Sequence, residues 1–263
     1  MDLGLKGRVA LVAASSKGLG RAVAEELASE GVSLVLCARG AEALRITADA
    51  IAKQHGVPVL PVAADVGVPD EAERVAREGM ARFQKIDILL TNSGGPPPGP
   101  FESLTREAWD DATALVLGSV VGFCRAVLPG MKERRWGRIL NVTSIAAKQP
   151  VDNLMLSNSI RAAVIGFART LATEVAPFGV TVNNLLPGFT RTERMVELSQ
   201  VTAAKEGVTP EQALAKFTAA VPMGRMGEPR EFAALAAFLA SERASYITGQ
   251  SMAVDGGWIR SLL

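Results

Sequence analysis

Residues 13–20 read Ala13-Ala-Ser-Ser-Lys-Gly-Leu-Gly20, which combines small side chains, two glycines and a cation. They follow an apolar run at 8–13 and precede an Ala- and Glu-rich segment, so they form a strand-to-helix turn. Such a turn lets the backbone approach a pyrophosphate, and the helix start directs unpaired N–H groups at it. Ala14, Ser16, Lys17, Gly18, Leu19 and Gly20 are therefore candidate cofactor contacts. The next apolar run ends Leu36-Cys-Ala-Arg39. NAD binders place a carboxylate there, on the ribose 2′-hydroxyl. This chain has Ala38 at that place, then Arg39, while Lys17 stands directly before Gly18. Two cations and no carboxylate fit a 2′-phosphate, which arginine can hold with two parallel hydrogen bonds. The expected cofactor is NADP(H); the plainer reading of Arg39 is an ordinary surface charge.

Short apolar runs alternate with longer amphipathic ones along the whole chain. The pattern predicts strands over 8–13, 32–37, 57–63, 86–90, 138–142, 180–185 and 251–254. Between them it predicts helices over 22–30, 41–54, 70–83, 106–134 and 158–176, with a last helix opened by Pro229. Gly31 fits a helix-terminating glycine. Continuous apolar strands separated by helices imply a parallel sheet covered on both faces. The fold class expected is α/β, a single doubly wound Rossmann-like domain over residues 1–263, with right-handed crossovers. Residues 188–226 read as polar and irregular, with one helix at 210–220. The run Gly94-Gly-Pro-Pro-Pro-Gly-Pro100 is stiff and poor in backbone donors. Lying after the fourth strand, it reads equally as a plain connector or as a wall of the substrate pocket.

Composition narrows the function classes. The chain has 263 residues, 48% of them hydrophobic, which excludes global disorder. Lys plus Arg is 28 and Asp plus Glu is 27; a net charge of +1 argues against a nucleic-acid or anionic-membrane binder. Cys37 and Cys124 lie far apart in apolar runs, and His55 is the single histidine, so no metal site is expected. Met1 to Lys6 is too short and polar for a signal peptide. The apolar mid-chain run without charge, 112–124, falls short of the about 18 residues that a span needs. The expected location is cytoplasmic.

Several motifs together resemble the short-chain dehydrogenase/reductase family over nearly the whole length, with its 3-oxoacyl-[acyl-carrier-protein] reductase-like members as the nearest likeness. The first turn is similar to the family's Thr-Gly-x-x-x-Gly-x-Gly, with Ala13-Ala14 in place of Thr-Gly. There follow Asp65-Val66, Asn92-Ser-Gly-Gly95, Asn141-Val-Thr-Ser144, Pro187-Gly188 with Thr192, and Ile247-Thr-Gly-Gln-Ser-Met-Ala-Val-Asp-Gly-Gly257. The resemblance implies hydride transfer between a nicotinamide and a carbonyl or alcohol of a small-molecule substrate, in a homotetramer. It adds Asp65, Val66, Asn92, Ser93, Gly94, Pro187, Gly188, Thr190 and Thr192 to the cofactor contacts, and makes the segment at about 189–226 a substrate lid. Ala14 would be strained in a left-handed conformation and unstrained at negative φ.

The family's Asn-Ser-Tyr-Lys group is only partly present. Ser144 matches the substrate-binding serine. The Asn position falls on Val116, the Tyr position on Ser157 and the Lys position on Arg161. Spacing i, i+4 still puts Ser157 and Arg161 on one helical face. A serine is a poor acid unless activated, and arginine stays protonated at working pH. Arg161 could bind the nicotinamide ribose and stabilise an oxyanion beside Ser144. Space left by the phenol could hold a water between Ser144, Ser157 and Arg161; that water, or Lys148 or Asp152 from the adjoining loop, could relay the proton, and the plainer reading of the two loop residues is solvated charges. Tyr246, the single tyrosine, reads as structural. Two functions follow: an NADP(H)-dependent oxidoreductase with an altered acid/base site, or an NADP(H)-binding protein with little turnover that acts as a sensor or assembly partner. In the lid, Met195, Phe217, Met223 and Met226 suggest an apolar or mixed substrate, with no anchor for a carboxylate or sugar legible.

Overall fold

The computed structural model describes residues 2–262; Met1 and Leu263, the ends of the expected 1–263 span, lie outside the described residues. Strand β1 (Val9–Ala13) enters the glycine-rich turn and helix α1 (Gly18–Ser29). β2 (Ser33–Ala38), α2 (Ala41–His55), β3 (Val59–Ala63), α3 (Glu71–Phe83) and β4 (Ile88–Thr91) complete the first half. The second half comprises α4 (Arg106–Thr113), α5 (Ser119–Glu133), β5 (Gly137–Val142), α6 (Met155–Val175) and β6 (Val180–Pro187). It closes with α7 (Glu193–Glu206), α8 (Pro210–Ala219), α9 (Pro229–Ala240) and β7 (Ser251–Val254). All seven strands form one parallel sheet in the order β3-β2-β1-β4-β5-β6-β7. The order reverses between β1 and β4, and ligands of such sheets bind at that point, beyond the strands' carboxyl ends.

Both faces are covered, which explains the continuous apolar strands. Leu11 and Ala13 pack on one side with Val75 of α3, Phe123 of α5 and Val164 of α6. Ala10 and Val12 pack on the other with Leu27 of α1, Leu44 of α2 and Phe232 of α9. Cys37 and Cys124 are free and buried, and burial pushes both thiols up to about 12.

Three elements differ from the sequence expectation. The rod expected over 106–134 is broken by a π-helical turn at Ala114–Gly118. There the Ser119 hydroxyl donates to the Leu115 carbonyl at 2.6 Å, and Val116 is carried within the widened turn. The segment read as irregular contains α7 as well as α8; the polar residues of α7 hid its periodicity. Finally, although its charge-free run is short, the helical stretch Arg106–Glu133 is long and apolar enough by composition to cross a membrane. Val120, Phe123, Cys124 and Val127 of that stretch lie in the core beside the sheet, as they do in a core helix.

Candidate active site

The first turn is built for close backbone approach. Ser15 is buried and fastens the turn to β2: its hydroxyl oxygen accepts from the Cys37 N–H at 3.1 Å, and its own N–H donates to the Cys37 carbonyl at 3.0 Å. The Ser16 carbonyl accepts from Thr47 Oγ1 at 3.0 Å, anchoring the turn to α2. A Cβ on Gly20 would come within 2.8 Å of the Ala14 carbonyl carbon, so only glycine lets α1 start this near the turn. Ala14 takes a φ of +51°, the left-handed region that its Cβ disfavours. The strained alternative is thus the one adopted, by an alanine and not a glycine.

Lys17 occupies the N-cap of α1 in an extended conformation, with Leu19 inside the first helical turn. The Lys17 ammonium pairs with Glu197 of α7 at 3.2 Å, so α7 is joined to the turn by a solvated ion pair. Gly18 faces Thr192 and Glu193 at the start of the same helix. Arg39 is exposed immediately beyond β2, next to half-buried Ala38. Asp65 uses its carboxylate to accept from the Gly67 N–H at 3.0 Å, and Val66 packs on the core. Asn92 and Ser93 are half-buried past β4, and Gly94 is open, with nothing within 4 Å of the point where a Cβ would stand. Gly188 lies so near Asp255 that a Cβ would come within 2.6 Å of the Asp255 Cα, which locks Pro187-Gly188 to the end of β7. Thr190 is buried, and its hydroxyl donates to the Gly188 carbonyl at 3.3 Å.

The residues at the catalytic positions converge. Ser144 follows β5, and its Oγ accepts from the Ala146 N–H at 3.1 Å, which leaves the hydroxyl proton for another acceptor. On α6, Arg161 Nε donates to Ser157 Oγ at 3.2 Å. Arg161 Nη1 donates to the Thr143 carbonyl at 2.8 Å and the Val142 carbonyl at 3.2 Å. The guanidinium therefore joins Ser157 to the strand end that carries Ser144. Burial, with a smaller contribution from the Arg194 charge, pushes Arg161 down to about 10, so it remains a cation at neutral pH. The resemblance made Arg161 a ribose contact; Nη2 is the end left for that, because Nη1 is committed to β5. The proline-rich segment crosses to the same place: the Gly99 N–H donates to the Asn153 carbonyl at 2.8 Å, just before α6.

Residues 13–259 match the family described as enoyl-(acyl carrier protein) reductase. The NADPH-dependent reductase BacG of Bacillus subtilis is 32% identical, the match covering 97% of this chain and 99% of that protein. A putative ketoacyl reductase of the monensin polyketide synthase from Streptomyces virginiae is 37% identical, with 95% and 96% covered. The solved structure of L-sorbose reductase from Gluconobacter frateurii, complexed with NADPH and L-sorbose, superposes with a TM-score of 0.96 at 34% identity and covers 100% of both chains. The chain belongs to the short-chain dehydrogenase/reductase family. In this short-chain dehydrogenase/reductase, Val116 at the Asn position is buried in the π-helical turn and lines a small cavity with Asn92, Ser93 and Ser119.

The structure adds contacts that sequence reasoning missed. Thr91 donates to Asn141 at 2.8 Å, Asn141 donates to Asn184 at 3.1 Å, and Asn184 donates to Ser251 at 3.1 Å. This buried polar row crosses β4, β5, β6 and β7 in register below the site. Polar residues inside otherwise apolar strands were its signal. Phe189 packs on Phe217 with ring centroids 5.4 Å apart and meets Trp258 edge-on at 6.2 Å. Of the lid residues named from sequence, Met226 is buried and Met223 is exposed. Tyr246 corrects an expectation: it is fully exposed and packs nothing.

Proposed function

We propose that this chain is an NADPH-dependent reductase of small-molecule carbonyl compounds in which the Ser157 hydroxyl, charged by Arg161, stands in for the family's phenol. The carrying observation is the guanidinium that donates to Ser157 Oγ while fixed to the carbonyls preceding Ser144. NADPH, when bound, supplies the hydride. Gly18 and Gly20 leave the backbone bare for a pyrophosphate, and Arg39 with Lys17 suits the 2′-phosphate; the relatives named for NADPH support that choice.

The remaining steps belong to this chain's own side chains. The Ser144 hydroxyl proton is free to hold the substrate oxygen. As negative charge grows on that oxygen, the Arg161 cation stabilises it in a site sheltered from water. Ser157 then gives its proton to the alkoxide. The serine alkoxide left behind accepts directly from Arg161 Nε, a contact closer than any the guanidinium makes to the product oxygen, so the transfer runs toward the alcohol. Water returns the proton to Ser157. Residues 189–226 act as the substrate lid, the enzyme works in the cytoplasm, and it assembles as a homotetramer that covers the apolar side of α4–α5; light scattering reads the last point, and a monomer mass would refute it.

Fluorescence titration with NADPH and NADH, for native protein and Arg39→Ala, tests the cofactor assignment. The native chain should prefer NADPH, and the variant should lose about 10- to 100-fold in NADPH affinity with NADH little changed. Equal native affinities would sink the assignment. Loss of NADPH absorbance with a panel of ketones and aldehydes tests turnover. Tight NADPH binding with no oxidation by any carbonyl would instead support a cofactor-binding protein without catalysis.

A further inference from the structure

Most cations around the cleft mouth are spoken for. Arg191 pairs with Glu228 at 3.2 Å, Arg225 with Glu231 at 2.6 Å, and Lys17 with Glu197 at 3.2 Å. Arg194, on the first turn of α7, has no carboxylate within ion-pair distance among the described residues. Its guanidinium instead lies across Gly95, the residue that follows Asn92-Ser-Gly94. A Cβ on Gly95 would come within 2.8 Å of Arg194 Nη1 and 3.0 Å of its Cζ, so the missing side chain is what admits the fork.

Arg194 is also near enough to Arg161 for the two positive charges to oppose each other. Arg161 Nη2 makes no hydrogen bond among the described residues, since Nε and Nη1 carry all three of its bonds. Like charges converging on one cleft without an acid between them disfavour each other, and an oxyanion relieves this. The planar fork of arginine matches a carboxylate in particular.

We infer that Arg194 is a substrate-binding residue that clamps a carboxylate, so that the preferred substrates are 2-oxo or 3-oxo acids. This rests on the reductase reading above and names its substrate class. The clamp sits on the lid, and binding the acid would draw α7 onto the proline-rich segment that begins beside Gly95. The carboxylate would stand on the Arg194 fork, facing the Arg161 charge, with the neighbouring carbonyl at Ser144 and Ser157. The other source of an oxyanion at this cleft is the cofactor's own phosphates, and the measurements separate the two.

NADPH oxidation is followed with 2-oxohexanoate and 3-oxohexanoate, each against its amide, for native enzyme, Arg194→Gln and Arg225→Gln. At least one acid should exceed its amide in kcat/KM by about 10- to 100-fold, the scale of a charge-assisted contact. Arg194→Gln should collapse that ratio toward one, whereas Arg225→Gln, whose arginine is paired with Glu231, should preserve it. NADPH affinity, titrated separately, should survive Arg194→Gln. A second readout needs no turnover: hexanoate added to the protein–NADPH complex should change the NADPH fluorescence saturably, and Arg194→Gln should abolish this. Acid and amide ratios near one in the native enzyme, or NADPH affinity lost in proportion in Arg194→Gln, would overturn the clamp. Saturable, Arg194-dependent hexanoate binding without oxidation of any carbonyl would uphold the anion site and defeat only the reductase reading.

Discussion

Replacing Ser157 by Ala removes one hydroxyl at the centre of the proposed proton transfer. In the native chain its Oγ accepts from Arg161 Nε at 3.2 Å, while Nη1 is held by two backbone carbonyls. The guanidinium therefore keeps two of its three bonds in the variant and stays in place. What is lost is a hydrogen bond involving a charged group, about 1.5–3 kcal/mol, together with the proton donor itself. If that loss falls on the transition state, kcat drops about 10- to 100-fold while the NADPH affinity holds. Steady-state kinetics from NADPH absorbance, with a melting curve for each variant, separates this from simple destabilisation. The pH profile gives a second arm. Arg161 is pushed down to about 10, chiefly by burial, so kcat should fall as pH rises through that region and the guanidinium loses its charge. The falling limb should become shallower in the Ser157→Ala variant, where Arg161 no longer activates a donor and keeps only its stabilisation of the substrate oxygen. A third arm restores the family's pair. Arg161→Lys alone leaves the Val142 and Thr143 carbonyls short of donors and should destabilise the fold by about 1–3 kcal/mol. Ser157→Tyr with Arg161→Lys should raise turnover above either single change, because the Lys acts through the Tyr. Adding Val116→Asn to the pair should extend the gain. Full kcat in Ser157→Ala would refute the serine's role. A fast native enzyme that Ser157→Tyr abolishes would refute the description of the site as depleted.

The remaining expectations concern stability and reactivity. Ala14→Gly relieves a left-handed alanine at φ +51° and should raise the unfolding free energy by about 0.5–1 kcal/mol, after allowing for the freer unfolded chain; an unchanged or lower melting temperature would contradict the strain. Cys37 and Cys124, buried and pushed up to about 12, should ignore a thiol reagent in the folded protein at pH 8 and react after denaturation; rapid labelling of the native chain would show that either thiol is open to solvent.

The sequence by itself determined the architecture, because burial on both faces imposes unbroken apolar strands, and each strand run here lies within a residue or two of its observed place. It also placed Ser157 and Arg161 side by side: they stand at fixed spacing on one helix, and helical periodicity alone puts them together. Their partners were decided only in three dimensions. Arg161 turns to the carbonyls of Val142 and Thr143, which are close through the packing of α6 on the sheet and not through any local pattern. The Thr91–Asn141–Asn184–Ser251 row needs strand register, and register follows from the whole sheet. The segment 189–226 shows the limit most clearly. Its helix α7 has a weakly apolar face, so its periodicity is faint, and tertiary contacts with the glycine-rich turn hold it. Nothing along the chain marks Arg194 apart from its neighbouring arginines. Its difference lies in Gly95, nearly a hundred positions away, whose missing side chain leaves room for a guanidinium over the cleft.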